Sequence, residues 1–385
     1  MKVPFYITAA ELVSSVGIGI GAHVDSLSCD RSSLRLNEGF AQGLLPSDIS
    51  SKIRDLREEK LLRHQDKTTL LAVLLARSIQ SRACPLEETG VLFSSSRGPT
   101  SSLESSWKAF QTGARLPAHT SPVTTSSAIP AAVARDLGLR GPISFLSAAC
   151  SSSLLSIIHA CGLISLGLTS SMLAGGVEAA NTPFTLAMLQ SAQVLDQKSP
   201  DSRFLCRPMA ENRGGMVLSE GGGAILIESQ RRNSSIAEIV GWGSSTEHST
   251  LTGVSEDGFA LKTAILSALE RAELSSNDID LIVGHGAGTL KGDKAERSAY
   301  KELFGEEVPL VFHKWMFGHM LGGSAIASAI LGAEHLRQGS APGHPYLSQS
   351  DVLHSPRILK QSRFAMICSL GFGGIAAVII VKKIL

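Results

Sequence analysis

The chain has 385 residues, of which 43% are apolar and 18% charged, with a formal net charge of +1. That length calls for one large domain or two fused halves, and the near-neutral charge gives no global attraction to nucleic acid or to an anionic membrane. No apolar run approaches the roughly 18 residues of a membrane helix, and the six cysteines (29, 84, 150, 161, 206 and 368) form neither a CxxC pair nor a cysteine–histidine cluster with zinc spacing, so a soluble protein of a reducing, cytoplasmic compartment is expected.

The N-terminal MKVPFYITAAELVSSVGIGIGAH contains Pro4 and Glu11, which interrupt any signal-peptide core. Residues 2–9 read as a strand and Ser14–Gly21 as a glycine-rich turn. The charged segment Leu44–Lys67 reads as an irregular, solvated surface. A helical pattern covers Thr68–Ser81, and apolar strands follow at Gly90–Ser94, Ile143–Leu146, Ser171–Gly175 and Ala224–Ile227. The polar Ser229–Ser235 (SQRRNSS) reads as a linker. Beyond it come strands at Ile279–Val283, Val308–Phe312, Phe364–Cys368 and Ala376–Val381. Helical patterns lie over Gly258–Ala272, Asp293–Phe304 and Ser324–Gln338. Strands alternating with helices predict an α/β fold with buried, largely parallel sheets.

Three stretches carry the parts of a reactive site. In SFLSAACSSSLLSII, Cys150 stands between a strand and a helix that begins near Ser151. There the helix dipole favours an anion, which would lower the thiol pKa, and the serines can cap the helix. These residues alone fit a core cysteine as well as a nucleophile. In GHGAGTLKGDKAE, His285 follows a strand inside a glycine-rich loop. In KWMFGHMLGGSAIAS, His319 follows Lys314 by five positions and precedes small residues. One cysteine and two loop histidines at strand ends are the parts needed for thiolate-based acyl chemistry. SLGFGG around Phe372 and SEGGG at 219–223 are glycine turns, weak signals by themselves. No dinucleotide-binding or P-loop glycine spacing is present.

In this order, ITAAELVSSVGIG, AACSSSL, LAGGVE, RPMAENRGGMVLSEGGGAILIE, HGAGTLKGDKAE, KWMFGHMLGG and SLGFGG resemble the β-ketoacyl synthases, the condensing enzymes of fatty-acid and polyketide synthesis. The resemblance spans nearly the whole chain. It implies a thiolase-like five-layered αβαβα fold of two pseudo-symmetric halves, residues 1–232 and 233–385. It implies Cys150 as the acyl-accepting nucleophile, and His285 and His319 as the histidines that bind the malonyl thioester and assist decarboxylation. Lys314 would organise the second histidine, and Glu296 would have a hydrogen-bonding role. Phe372 would gate the site and, with the N–H of Cys150, form an oxyanion hole. No metal or resident cofactor is implied, since substrates arrive on the phosphopantetheine arm of acyl carrier protein.

The same resemblance implies a homodimer or a heterodimer with a related ketosynthase-like chain, with the strand before Cys150 near the interface. A basic rim should receive the carrier, and Arg63 and Lys67 are the residues chosen for it. The chain departs from the family pattern at Ile375–Ala376, at ENRGG and at GHMLGGSAIAS, which leaves substrate class open. Cys368 lacks the CxG spacing of a thiolase, and a second histidine stands where chain-initiating synthases carry asparagine. A non-condensing acyltransferase and a chain-length-factor-like partner subunit remain the alternatives.

Overall fold

Two runs of five strands give the fold its frame. The computed structural model describes residues 3–37, 39–196, 203–248, 253–305, 308–359 and 362–384. The first run is β1 (Tyr6–Ser14), β2 (Gly90–Ser94), β3 (Ile143–Leu146), β4 (Ser171–Glu178) and β5 (Gly221–Glu228). The second is β6 (Ala237–Thr246), β7 (Leu281–Val283), β8 (Leu310–Val311), β9 (Phe364–Gly371) and β10 (Ile375–Lys383). The spatial order is β3-β2-β4-β5-β1 in the first and β8-β7-β9-β10-β6 in the second. Pairing sense repeats as well. β2 lies parallel to β3 and β4, as β7 does to β8 and β9, and the other neighbours are antiparallel. The runs join where β1 and β6 pair over Tyr6↔Glu238 and Ile7↔Ala237.

Helices cover these sheets on every face. They are α1 (Lys67–Ala83), α2 (Ala128–Leu137), α3 (Ser152–Ser165), α4 (Phe259–Ala272), α5 (Leu290–Phe304) and α6 (Ser324–Gln338). On one outer face, Leu71 and Leu75 of α1 and Val133 of α2 pack with Phe93, Leu173 and Leu226. On the other, Leu261 and Ile265 of α4 and Tyr300 of α5 pack with Ile282, Met366 and Ile380. Between the sheets, α3 and α6 touch each other and both sheets, with Leu154, Ile157, Ile326 and Ile330 in one core. Five layers result, α–β–α–β–α. The run SAIASAILGAEHL keeps α6 slim enough to be buried nearly all round. Among the described residues no helix is long and apolar enough to cross a membrane.

Several elements differ from the sequence reading. Half of the pairings within each run are antiparallel, so the sheets are mixed. β1 begins at Tyr6 and runs through Ser14, into the expected turn. Leu44–Lys67 contains an ordered helix, Ser47–Glu58, whose Ile49, Ile53 and Leu56 are buried at one-face spacing. β6 lies where no strand is expected. Residues 237–243 alternate between buried and half-buried, but Gly241 and Gly243 occupy two of the buried positions. A Cβ there would lie 2.4 Å and 2.0 Å from the Ala268 and Ala264 carbonyl oxygens of α4. Close helix–strand approach selected glycine, and glycine hides the apolar alternation. Ser229–Ser235 is a pinned corner between β5 and β6. Arg232 bonds Glu228 at 2.5 Å and the Ala83 carbonyl at 2.8 Å.

Candidate active site

Cys150 sits on a tight turn between β3 and α3. Ala149 before it is left-handed, with φ of 48°, a conformation that costs a residue with a Cβ about 1–2 kcal/mol. The turn is braced from three sides. Ser152 Oγ accepts from the Ala148 N–H at 2.9 Å and donates to the Ala149 carbonyl at 2.5 Å. Ser96 Oγ donates to that same carbonyl at 2.8 Å. From β9, Ser369 Oγ donates to the Cys150 carbonyl at 3.1 Å, and Ser151 Oγ donates to the Ile375 carbonyl at 3.0 Å. Ser151, the N-cap residue of α3, makes no side-chain cap. These serines hold the turn and tie it to the second half, instead of capping the helix as expected.

His285 follows β7, and His319 follows the short helix Lys314–Phe317. One ring nitrogen of each and the Cys150 sulfur all lie within 4.8 Å of one another, and all three residues are buried. The two rings meet edge to face at 5.1 Å. His319 Nδ1 pairs with Ser324 Oγ at 2.9 Å, which leaves its Nε2 for a ligand. His285 Nδ1 has no protein partner. Glu296, fully buried on α5, accepts from the N–H groups of His285 and Gly286 at 2.6 Å each and from the Tyr300 hydroxyl at 2.7 Å. It fixes the backbone of the His285 loop. Lys314 departs from expectation, since its ammonium donates to the carbonyl of His285 and makes no bond to His319. The side chain of Phe372 is half-buried at the β9–β10 turn. A Cβ on the adjacent Gly371 would lie 3.3 Å from Cys150 N, so this turn passes directly over the nucleophile.

Burial dominates the electrostatics. It pushes the Cys150 thiol up to about 11, against the downward pull of the Lys314 charge and of the Cys150 and Phe372 amides. The expected lowering by the helix end is therefore reversed, because the sulfur has lost its water. Burial, then the Lys314 charge, holds His285 and His319 well below the ordinary histidine range. Both rings are neutral at physiological pH, and each then carries one N–H donor and one acceptor nitrogen. Burial also lowers Lys314 itself.

Glu178, at the end of β4, was missed as a site residue. It is fully buried and accepts four hydrogen bonds. Oε1 receives Ser95 Oγ at 2.7 Å and Arg97 N at 3.2 Å, and Oε2 receives Ser96 N at 2.8 Å and Gly322 N at 3.2 Å. One carboxylate thus clamps the loop that braces Ala149 to the turn that follows His319. Leu321 in that turn is also left-handed, with φ of 39°. The signal in LAGGVE was an acid closing a fully buried strand, which needs an internal donor set.

A cavity of about 390 Å³ opens over the three reactive groups, walled by Gln193, Met216, Leu290, Lys291 and Phe372 among others. Thiolate and imidazole are also donors that zinc takes, so Cys150, His285 and His319 are where a soft cation could sit. Arg63 and Lys67 do not line the cavity. Lys67 instead bonds the carboxylate of Glu220 at 2.6 Å.

The profile "Beta-ketoacyl synthase, N-terminal domain" matches residues 68–233, and "Beta-ketoacyl synthase, C-terminal domain" matches residues 236–347. The 3-oxoacyl-[acyl-carrier-protein] synthase 2 of Vibrio cholerae is 32% identical over 69% of this chain and 69% of its own. The tetracenomycin polyketide synthase ketoacyl synthase alpha subunit of Streptomyces glaucescens is 28% identical over 95% of this chain and 94% of its own. Among solved structures, the ishigamide ketosynthase/chain length factor superposes with a TM-score of 0.88 at 22% identity, covering all of both chains. A type II polyketide ketosynthase in complex with its acyl-carrier protein superposes with a TM-score of 0.87 at 20% identity, again over all of both chains. At such identities the likeness is one of fold.

Proposed function

The chain belongs to the β-ketoacyl synthase family, and on that premise we propose that it condenses an acyl group held on Cys150 with a malonyl group on acyl carrier protein, in fatty-acid or polyketide chain elongation. The convergence of the Cys150 sulfur with two neutral imidazoles at the floor of one cavity carries this reading. In loading, the thiol attacks the acyl thioester. Its proton passes to a neutral imidazole and on to the departing phosphopantetheine sulfur. In condensation, the malonyl carbon–carboxylate bond breaks, CO₂ leaves, and the electron pair moves onto the thioester oxygen. Imidazole N–H donors aimed at that oxygen stabilise it, and one such donor contributes roughly 3 kcal/mol. The carbanion then attacks the acyl carbonyl on Cys150. The amides of Cys150 and Phe372 receive the new oxyanion, and collapse expels the Cys150 thiolate beside the Lys314 charge. Burial serves this step, because water would protonate the carbanion.

The groups arrive on the phosphopantetheine arm of the carrier, so the proposal needs no resident cofactor or metal. Six free thiols fit a cytoplasmic location. A second copy or a related ketosynthase-like chain would pair along β3, an edge strand whose Ile143 is 49% exposed.

Intact mass after incubation with acyl carrier protein, then malonyl carrier protein, tests the reading. Wild type should gain one acyl group, Cys150→Ala none, and malonyl donor should yield a ketoacyl product. Loading without condensation would make the chain an acyltransferase. No loading, alone or with a partner chain, would make it a non-catalytic subunit.

A further inference from the structure

Helix α1 begins with a cation in an unfavourable place. Lys67 is its first residue, where the unpaired N–H groups already carry partial positive charge and oppose a lysine. Glu220, a buried acid that directly precedes β5, holds it there. Lys67 Nζ donates to both Glu220 oxygens at 2.6 Å, and Leu45 N donates to Oε2 at 3.3 Å. The lysine side chain keeps 29% of its surface and the glutamate only 5%, so Lys67 supplies the cation that a carboxylate so buried requires.

Glu220 closes a short strand that reaches the active site. Leu218–Ser219 pairs in parallel with Phe40–Gly43, through Gln42↔Leu218 and Gly43↔Ser219. His319 pairs alongside the same strand. Its N–H donates to the Val217 carbonyl at 2.6 Å, and Ser219 N donates to the His319 carbonyl at 3.0 Å. Both backbone groups of the histidine are thus held by residues 217–219. Glu220 N and Ser219 Oγ in turn donate to the Gly43 carbonyl at 2.8 Å and 3.0 Å. These contacts leave no slack. A Cβ on Gly318, beside His319, would lie 2.8 Å from Ser219 Cβ and 2.9 Å from the Val217 carbonyl oxygen. A displacement of Ser219–Glu220 is therefore passed on to His319. His285 is fixed separately, by Glu296 and by Lys314.

We propose that Lys67 and Glu220 are a positioning pair that sets His319 over the malonyl thioester. Neither lines the cavity, and they act through residues 217–219. The proposal rests on the ketosynthase reading and adds to it the source of the alignment of His319. Removing one oxyanion donor costs about 10²–10³-fold in kcat. Partial loss of aim therefore slows decarboxylation, which uses both imidazoles, more than loading, in which His285 can still take the proton.

The test compares wild type, Lys67→Met, Lys67→Arg and the double variant Lys67→Met/Glu220→Gln, each as the full chain. Intact mass reads the rate of acyl loading, and condensation is followed with malonyl carrier protein and with malonyl-CoA. Crystal structures of wild type and Lys67→Met read the place of His319 directly. Lys67→Met is expected to lower kcat for condensation at least tenfold, with KM for the malonyl donor and the loading rate within threefold of wild type. The loss should be the same with either donor. Lys67→Arg should recover kcat to within threefold. The double variant should lose no more than Lys67→Met, because it leaves no unpaired buried charge. In the crystal, His319 should move by at least about 0.5 Å while His285 stays in place. Equal losses of loading and condensation would make the pair structural only, and a loss confined to malonyl carrier would make Lys67 a docking contact. Either result overturns the proposal, and so does an unmoved His319. If wild type makes no ketoacyl product but His319 moves in Lys67→Met, the pair keeps its role and the ketosynthase reading falls.

Discussion

Replacing Glu178 by glutamine should make the stability difference from wild type depend on pH. Burial, against the pull of four donors, holds this carboxyl at about 7 instead of 4.5. A folded-state value above the unfolded one means stability that is fully present below pH 4.5 and lost as pH rises through 7. Between pH 5 and pH 8 that loss integrates to about 2–3 kcal/mol for wild type. Glutamine does not titrate and loses none of it. The variant also carries a fixed penalty. Its NH₂ is best placed where Ser95 Oγ can turn and accept, which leaves the Arg97 N–H without an acceptor, worth about 1–3 kcal/mol. Urea unfolding of both proteins at pH 5, 6, 7 and 8 separates the two effects, since the penalty is constant and the titration is not. The variant should be clearly weaker at pH 5 and match or exceed wild type at pH 8. A difference that stays constant across this range would show that Glu178 ionises normally, and the account of its burial would be wrong. Acyl loading of Cys150 should slow about tenfold or more at every pH, because the clamp holds the turn beneath the nucleophile.

Three further outcomes are expected. His344 accepts from Phe312 N at 3.0 Å and pairs with the Leu353 carbonyl at 2.8 Å. Burial lowers its pKa to about 4, so it contributes about 3 kcal/mol above pH 6.5 that is lost as pH falls through 4; His344→Gln should shallow the acid limb of a pH–stability curve by a similar amount. Ala149→Gly should stay within about 1 kcal/mol of wild type in urea, since relief of the left-handed strain offsets added chain entropy, whereas Ala149→Val should lose at least about 2 kcal/mol and abolish loading in the mass assay. Gly241→Ala should lower stability by about 1–3 kcal/mol in thermal melts, because its Cβ would press on the Ala268 carbonyl.

Much of this molecule was legible in the sequence because Cys150 and His285 lie just past strand ends, whereas His319 comes after the short helix Lys314–Phe317 and not at a strand end. Cys150, His285 and His319 each follow a short apolar run, and runs such as GVLFS and LIV are hard to misread. What escaped depends on through-space partners. Glu178 looks like the last residue of a strand until the loop Ser95–Arg97 and Gly322 fold onto it. The bond from Lys314 to the His285 carbonyl joins residues 29 positions apart. The rise of the Cys150 pKa reverses a local argument from the helix end, because only the packed fold reveals that water is gone. β6 escaped because packing against α4 required glycine at the positions where an apolar residue would have signalled a strand.

The reactive groups come from opposite runs of strands. Cys150 belongs to the first, while His285, Lys314, His319 and Phe372 belong to the second, and the corner Ser229–Ser235 is the covalent bridge between them. As separate chains these parts would have to find each other, and the fraction of complete centres would vary with expression level. A single short tether replaces that encounter by an intramolecular one at an effective concentration of order millimolar or above. Nucleophile and imidazoles are therefore made in a fixed one-to-one ratio by every round of translation, and dilution does not take the centre apart.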